Sequence, residues 1–146
     1  MAWFNIFGFC VMVIIMIPNI IYAIKCKDGF KNKYNNKAAE TLEQIGRFCC
    51  FGFMIINIPG TVWGFCCDRA FAVYLIGAFS LAAIYCVVWA VCFKTNGLFK
   101  ALSLSIIPSV MFLFCGIMSR SALLIVGAVI FAPCHILISY KNAKQD

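Results

Sequence analysis

Charged side chains are scarce in this sequence, and acidic ones are the scarcest. Of its 146 residues only 12% are charged and only five are Asp or Glu, whereas 64% are hydrophobic. Soluble domains carry about 25% charged residues, and a chain this short has too small an interior to hide its excess apolar surface from water. The composition therefore predicts one integral membrane domain, residues 1–146, with lipid around most of it.

Motifs for catalysis, metal binding and nucleotide binding are also absent. The sequence has a single histidine, His135, and it has neither a Cys-x-x-Cys pair nor a glycine-rich phosphate loop. We therefore predict no catalytic residue, no metal and no cofactor, and we leave enzyme activity open as the least favoured interpretation. The net charge of +7 does not predict nucleic-acid binding, because the basic residues lie in short segments between apolar runs. There they face anionic lipid headgroups.

Long apolar runs predict an all-α bundle of about five transmembrane helices. A helix needs about 20 apolar residues to cross the hydrocarbon. The region 101–140 contains one charge, Arg120, and as a single helix it would extend about 60 Å, about twice the bilayer core. We therefore predict that it turns back near Met118–Ser121. The predicted spans are about 3–24, 45–65, 70–93, 101–118 and 122–140.

The lysines predict the orientation of these spans. All nine lie in the loop 25–44, in the linker 94–100 or in the C-terminal tail, and five spans place these three regions on one side. Because Lys and Arg are enriched in cytoplasmic loops, we expect that side to be cytoplasmic, with the N-terminus outside and the C-terminus inside. The predicted location is the plasma membrane, as a multi-pass protein.

Proline occurs once in four of the five predicted spans, each time close to a polar residue. A proline in a helix leaves a carbonyl without its backbone donor, which in lipid needs another partner. One interpretation is a set of kinked helices around a ligand-binding site, and the alternative is hydrogen bonding between packed helices. The prolines are Pro18, Pro59, Pro108 and Pro133, and the candidate ligand-binding residues are Asn19, Asn57, Ser105 and His135.

A charged segment precedes the second predicted span. Glu40, Glu43 and Arg47 share one helical face, and Glu43 and Arg47 have the spacing of a favourable i, i+4 ion pair. We interpret this segment as a cytoplasmic interfacial anchor, with a gate at the cytoplasmic entrance as the alternative. At the other end of the same span, Gly60 and Gly64 form a GxxxG pattern that predicts close helix packing.

The ten cysteines allow two interpretations. In membrane helices cysteine acts as a small hydrophobic residue. The alternative is an outer disulfide from Cys66 or Cys67 to Cys115, which spacing alone does not decide.

Three functions fit the sequence. The first is a small-solute transporter or channel, alone or as a homo-oligomer, that uses the polar residues in the spans. The second is a non-catalytic accessory subunit of a larger membrane complex. The third is an intramembrane lipid-modifying enzyme, which we rank last because no nucleophile–base pair is recognisable.

Overall fold

Five helices make up the fold. The computed structural model describes residues 3–26 and 34–145, and regular structure there is helical apart from two isolated bridges. The all-helical fold class is thereby confirmed. Four helices in the described part, all except α2, are long and apolar enough to cross a membrane. The helices are α1 (Ile6–Lys25), α2 (Lys37–Ile55), α3 (Asp68–Cys92), α4 (Leu98–Met118) and α5 (Ala122–Gln145).

The helices form a closed ring in the order α1, α3, α4, α5, α2, and α2 also touches α4 across it. Their ends pair as expected for alternating directions. The amide of Asn5, before α1, donates to the Ile55 carbonyl at the end of α2 (2.7 Å), and the amide of Tyr34, before α2, donates to the Asn142 side chain near the end of α5 (2.8 Å). Alternation puts all described lysines at one end, here called the lysine end. Lys27, Lys31 and Lys33 lie outside the described residues.

The predicted span 45–65 does not correspond to one helix. The helix α2 begins earlier, at Lys37, where the Asn36 side chain accepts the Ala39 amide, and it ends at Ile55. Residues 56–67 are non-helical and cover the opposite end of the bundle, here called the cap end. Their backbone groups bond to residues 3–5 and 120–122, as in Asn57 N–H to Trp3 and Trp63 N–H to Arg120. Irregular backbone is tolerated near lipid only when its polar groups are satisfied in this way.

The GxxxG prediction is wrong for the same reason. Gly60 and Gly64 lie in this cap, with φ of 87° and 77°, a backbone region that glycine adopts without steric cost. They turn the chain and do not pack two helices. Pro59 also lies in the cap, whereas Pro18, Pro108 and Pro133 lie inside helices.

The predicted hairpin between the last two spans is confirmed. The helix α4 ends at Met118 and α5 begins at Ala122. Arg120 adopts a left-handed φ of 52°, and the amides of Arg120 and Ser121 donate to the carbonyls of Ile117 and Gly116, which is the Schellman pattern of helix ends. The Arg120 guanidinium donates to the Gly64 and Trp63 carbonyls (2.9 and 3.1 Å), so the turn also holds the cap.

The ten cysteines are free in the structure. Cys115 is fully buried in α4, whereas Cys66 and Cys67 are exposed in the cap, so the alternative disulfide between them is not formed.

Helices α2 and α5 approach closely because two glycines lie between them. A Cβ atom on Gly46 would lie 2.7 Å from the Phe131 backbone, and one on Gly127 would lie 3.0 Å from the Cys49 Cβ atom. The two contacts are about one turn apart on each helix and run in opposite directions along the chain, so they fix an antiparallel register. The next turn along this register places Glu43 of α2 against His135 of α5.

We expect Gly46→Ala to destabilise the protein by about 1–2 kcal/mol, because its methyl group would meet backbone that is not free to move. Gly52→Ala is the matched control on the same helix: nothing lies within 4 Å of the position that its methyl group would take, so it should stabilise by about 0.5–1 kcal/mol. The free energy of unfolding in mixed detergent micelles measures both effects. Stabilisation by both substitutions would show that α2 and α5 are not in close contact.

The Arg120 turn gives a second paired comparison. Arg120→Ala and Arg120→Gly both remove the guanidinium bonds to the cap, but only alanine retains the left-handed strain. The alanine variant should therefore be less stable than the glycine variant by about 1 kcal/mol. Equal stability of the two variants in the same unfolding assay would contradict the left-handed conformation at this position.

Candidate functional site

A cleft of about 1270 Å³ lies inside the ring of helices. All five helices contribute to its wall, from Asn96, Gly97 and Asn142 at the lysine end to Phe112 and Phe131 at its deepest part. Beyond the side chains of Phe112 and Phe131, toward the cap end, the bundle is filled by buried side chains such as Met12, Met54 and Cys115. The cleft therefore does not reach the cap end.

A buried carboxylate, Glu43, forms one wall of the cleft together with two basic partners. Its side chain is only 4% exposed, and it accepts hydrogen bonds from Arg47 on its own helix and from His135 Nδ1 on α5 at 3.1 Å. The His135 ring in turn stacks on Phe131, with centroids 4.6 Å apart. The predicted Glu43–Arg47 contact is present, but the pair is part of a cluster that reaches inside the bundle.

The protonation of Glu43 reflects opposing effects. The residue lies on α2, which is not one of the four apolar helices, and ahead of the predicted span 45–65. Burial raises the pKa of Glu43, whereas the hydrogen bond from His135 and the charge of Arg47 lower it, and the net pKa lies below its ordinary value. The carboxylate is therefore charged at neutral pH, as its two donors require.

Asn19 forms a second polar contact in the cleft, between α1 and α3. Its side chain accepts the Tyr85 hydroxyl at 2.9 Å and donates to the Ile15 carbonyl at 3.0 Å. The neighbouring Pro18 has no amide for the Ile14 carbonyl, and the Cys86 thiol lies 3.8 Å from that oxygen. Polar groups around the proline thus satisfy carbonyls that the helix leaves exposed.

The opposite wall carries Lys100, in the first turn of α4. This residue is only 8% exposed, and its ammonium lies over the rings of Tyr22 and Trp89, 4.3 and 5.1 Å from their centroids. The nearest oxygen acceptors are the Phe93 carbonyl at 3.4 Å and the Asn96 side chain at 3.5 Å. Among the described residues no carboxylate pairs with this ammonium group.

The structure brings together two of the four candidate ligand-binding residues. Asn19 and His135 both line the cleft. Ser105 is fully buried, and its hydroxyl donates to the Ala101 and Leu102 carbonyls of its own helix (2.8 and 3.1 Å). Asn57 lies in the cap, beside a separate cavity of about 260 Å³. Of the four candidates, only Asn19 and His135 therefore face a common cavity.

Sequence reasoning missed the partners of these residues. It assigned Glu43 to an interfacial anchor ahead of the second span, and so it did not place Glu43 against His135. It also read Lys100 only as a charge in a loop. The available signal was Gly46 with Gly127, which permits the close contact between α2 and α5.

The site combines polar groups suited to binding with one carboxylate–histidine pair. Glu43 and His135 correspond to an orienting carboxylate and a base. The one serine of α5 in the cleft, Ser139, makes no hydrogen bond to His135 among the described residues. In the same part of the chain, no group of three or more His, Cys, Asp or Glu side chains is arranged to hold a metal ion.

No protein-family model, curated protein or solved structure matches this chain. The class of protein therefore rests on its own fold. In its described residues it is an all-helical protein with four apolar helices compatible with a membrane location and with a cleft inside the bundle.

Glu43→Gln tests whether the buried cluster holds α2 in place. The substitution keeps the shape but removes the charge that Arg47 and His135 bond, so we expect a loss of about 1–3 kcal/mol in the free energy of unfolding. Because the Arg47 side chain is 37% exposed, water screens its charge, and we expect a loss of unfolding free energy near the lower end of that range. Glu40→Gln, one turn earlier and less buried, should change stability by less than about 1 kcal/mol.

The same variants test the sign of the pH dependence. Because the pKa of Glu43 is lower in the folded than in the unfolded chain, its contribution is complete above the unfolded-state pKa of about 4.3. That contribution is lost as the pH falls through the folded-state pKa. Unfolding measured from about pH 3 to about pH 7 should show a shallower acid-side slope in Glu43→Gln than in the unsubstituted protein. Identical slopes would mean that Glu43 is not buried against its donors.

Proposed function

We propose that the chain is a multi-pass small-solute transporter of the plasma membrane, here open at its lysine end. The observation that carries this proposal is the cleft, which is lined by all five helices and is closed toward the cap end. A mostly apolar wall with a few placed polar groups is the usual composition of a small-molecule site. The positive-inside rule supports the cytoplasm as the side onto which the cleft opens.

The helices around the cleft supply places to bend. Pro18, Pro108 and Pro133 each interrupt the backbone bonding of a helix that lines it, and prolines are the commonest positions of helix kinks. Bending at these points would let the lysine end close while the cap end opens. The lysines around the mouth would meanwhile hold anionic headgroups at the membrane surface.

An Asn19→Cys variant tests this proposal, in a chain whose native cysteines are replaced. A membrane-impermeant maleimide should label the new thiol from the lysine side in vesicles of known orientation. It should also label it, more slowly, from the cap side, because a transporter populates both states. Ile17→Cys is the matched control: it lies on the same helix but faces outward, 52% exposed, and in lipid it should stay unlabelled.

The other outcomes decide between the functions. Labelling of Asn19→Cys from the lysine side alone would mean a cleft without alternating access, and the accessory-subunit interpretation would replace transport. No labelling from either side would mean a dry interior and would reject the transport proposal. Thiols at the Arg69 and Lys94 positions, at opposite ends of α3, report which end faces the cytoplasm.

A further inference from the structure

Lys100 differs from the other charged groups that line the cleft, because no carboxylate among residues 3–26 and 34–145 pairs with it. The two acidic side chains of the wall, Glu40 and Glu43, both lie on α2, and both already have interactions of their own. Lys100 lies on α4 and faces α1 and α3. Its two oxygen acceptors lie at 3.4 and 3.5 Å, which is longer than an ordinary N–H···O hydrogen bond.

The surroundings of Lys100 leave the strongest interaction of an ammonium group unused. The ring faces of Tyr22 and Trp89 attract a cation through their π electrons. They pack against each other, with centroids 4.7 Å apart, and so form a firm surface on one side of the ammonium group. A buried ammonium bonds most strongly to an anionic oxygen, and an anion entering the cleft would provide it.

The wall that continues from Lys100 into the bundle is apolar. Leu104, Pro108 and Phe112 follow at successive turns of α4, and all three line the cleft. With a rise of 1.5 Å per residue this face extends about 18 Å from the cation. The chemistry of one face therefore changes from a cation near the mouth to an apolar surface at depth.

We propose that the cleft binds an amphiphile with a single anionic head group, held by Lys100 with its apolar body along α4. This inference names the ligand class of the cleft and so rests on the proposed function. A carboxylate or a phosphate monoester would serve as the head group. Two sources offer such a group: an acyl chain dissolved in the bilayer and a short organic acid dissolved in water.

Fluorescence of Trp89 provides the test, because this indole borders the ligand site. Trp3 and Trp63 are more than half exposed, and replacing both by Phe leaves Trp89 as the reporter. The purified protein in a nonionic detergent is titrated with dodecanoate, dodecylamine and dodecanol, which share a chain and differ in charge. We expect a saturable change with dodecanoate at a concentration about tenfold or more below the other two.

Substitutions at Lys100 link the preference to this residue. Lys100→Met keeps an unbranched apolar stem and should weaken dodecanoate binding about tenfold or more. Lys100→Arg keeps the charge and should stay within a few-fold of the unsubstituted protein. Lys94→Met is the matched control, because Lys94 is exposed and does not line the cleft, and it should leave binding unchanged.

Each result has a definite meaning. Equal binding of the three amphiphiles, no binding of dodecanoate, or unchanged dodecanoate binding in Lys100→Met would overturn the inference. If Lys100→Met fails to fold, the three amphiphiles on the unsubstituted chain still decide. Benzoate distinguishes the two sources. If benzoate competes with dodecanoate, the ligand is a water-soluble acid, and if benzoate does not compete, the ligand is an acyl chain from the bilayer. Labelling of Asn19→Cys is independent of ligand charge, so transport can hold where this inference fails.

Discussion

The contact between α2 and α5 is the constraint on which the rest of the bundle depends. Gly46 and Gly127 have no side chains, and the two helices therefore pack with their backbones in close contact. That approach carries the charged first half of α2 inward, and Glu43 is buried as a consequence. A buried carboxylate is costly unless it is paired and hydrogen-bonded. Arg47 and His135 supply the charge and the hydrogen bonds that offset this cost.

The polarity of α2 also explains why the bundle is a ring around a cleft. Four helices are apolar enough to face lipid on their outer sides, but α2 carries charge in its first half. A helix of that kind is stable in an apolar bundle only where other helices or water satisfy its charges. Helix α5 covers one side of α2, and the cleft faces the other, with Glu40 and Arg47 on its wall. The cleft and the Glu43–Arg47 ion pair therefore both follow from the charged first half of α2.

The sequence was sufficient for the number, order and direction of the helices, because these follow from apolar runs and from a single polar turn. The α4–α5 turn was predicted at Met118–Ser121 and lies there. The prediction of the second span was wrong because the sequence stays apolar through residues 56–67, so hydropathy gives no sign that the helix ends. The positive φ angles of Gly60 and Gly64, which turn the chain there, do not affect hydropathy. Of the candidate ligand-binding residues, Asn19 and His135 line the cleft, whereas the positions of Glu43 and Lys100 depend on which helices are neighbours and could not be inferred from apolar runs.

The two ends of the bundle are held by different forces, and this difference bears on how the cleft could change. At the cap end, backbone bonds join residues 55–57 to Trp3 and Asn5 on one side, and residues 61–63 to Arg120 and Ala122 on the other. At the lysine end, the described contacts are mostly made by side chains, such as Lys100 over Tyr22 and Tyr34 N–H to Asn142. Side-chain contacts rearrange by rotamer changes, whereas a paired backbone group near lipid is costly to expose. In the proposed transport cycle we therefore expect the lysine end to close with the lower barrier, and we expect the cap end to open only when one of its two sets of backbone bonds exchanges for water.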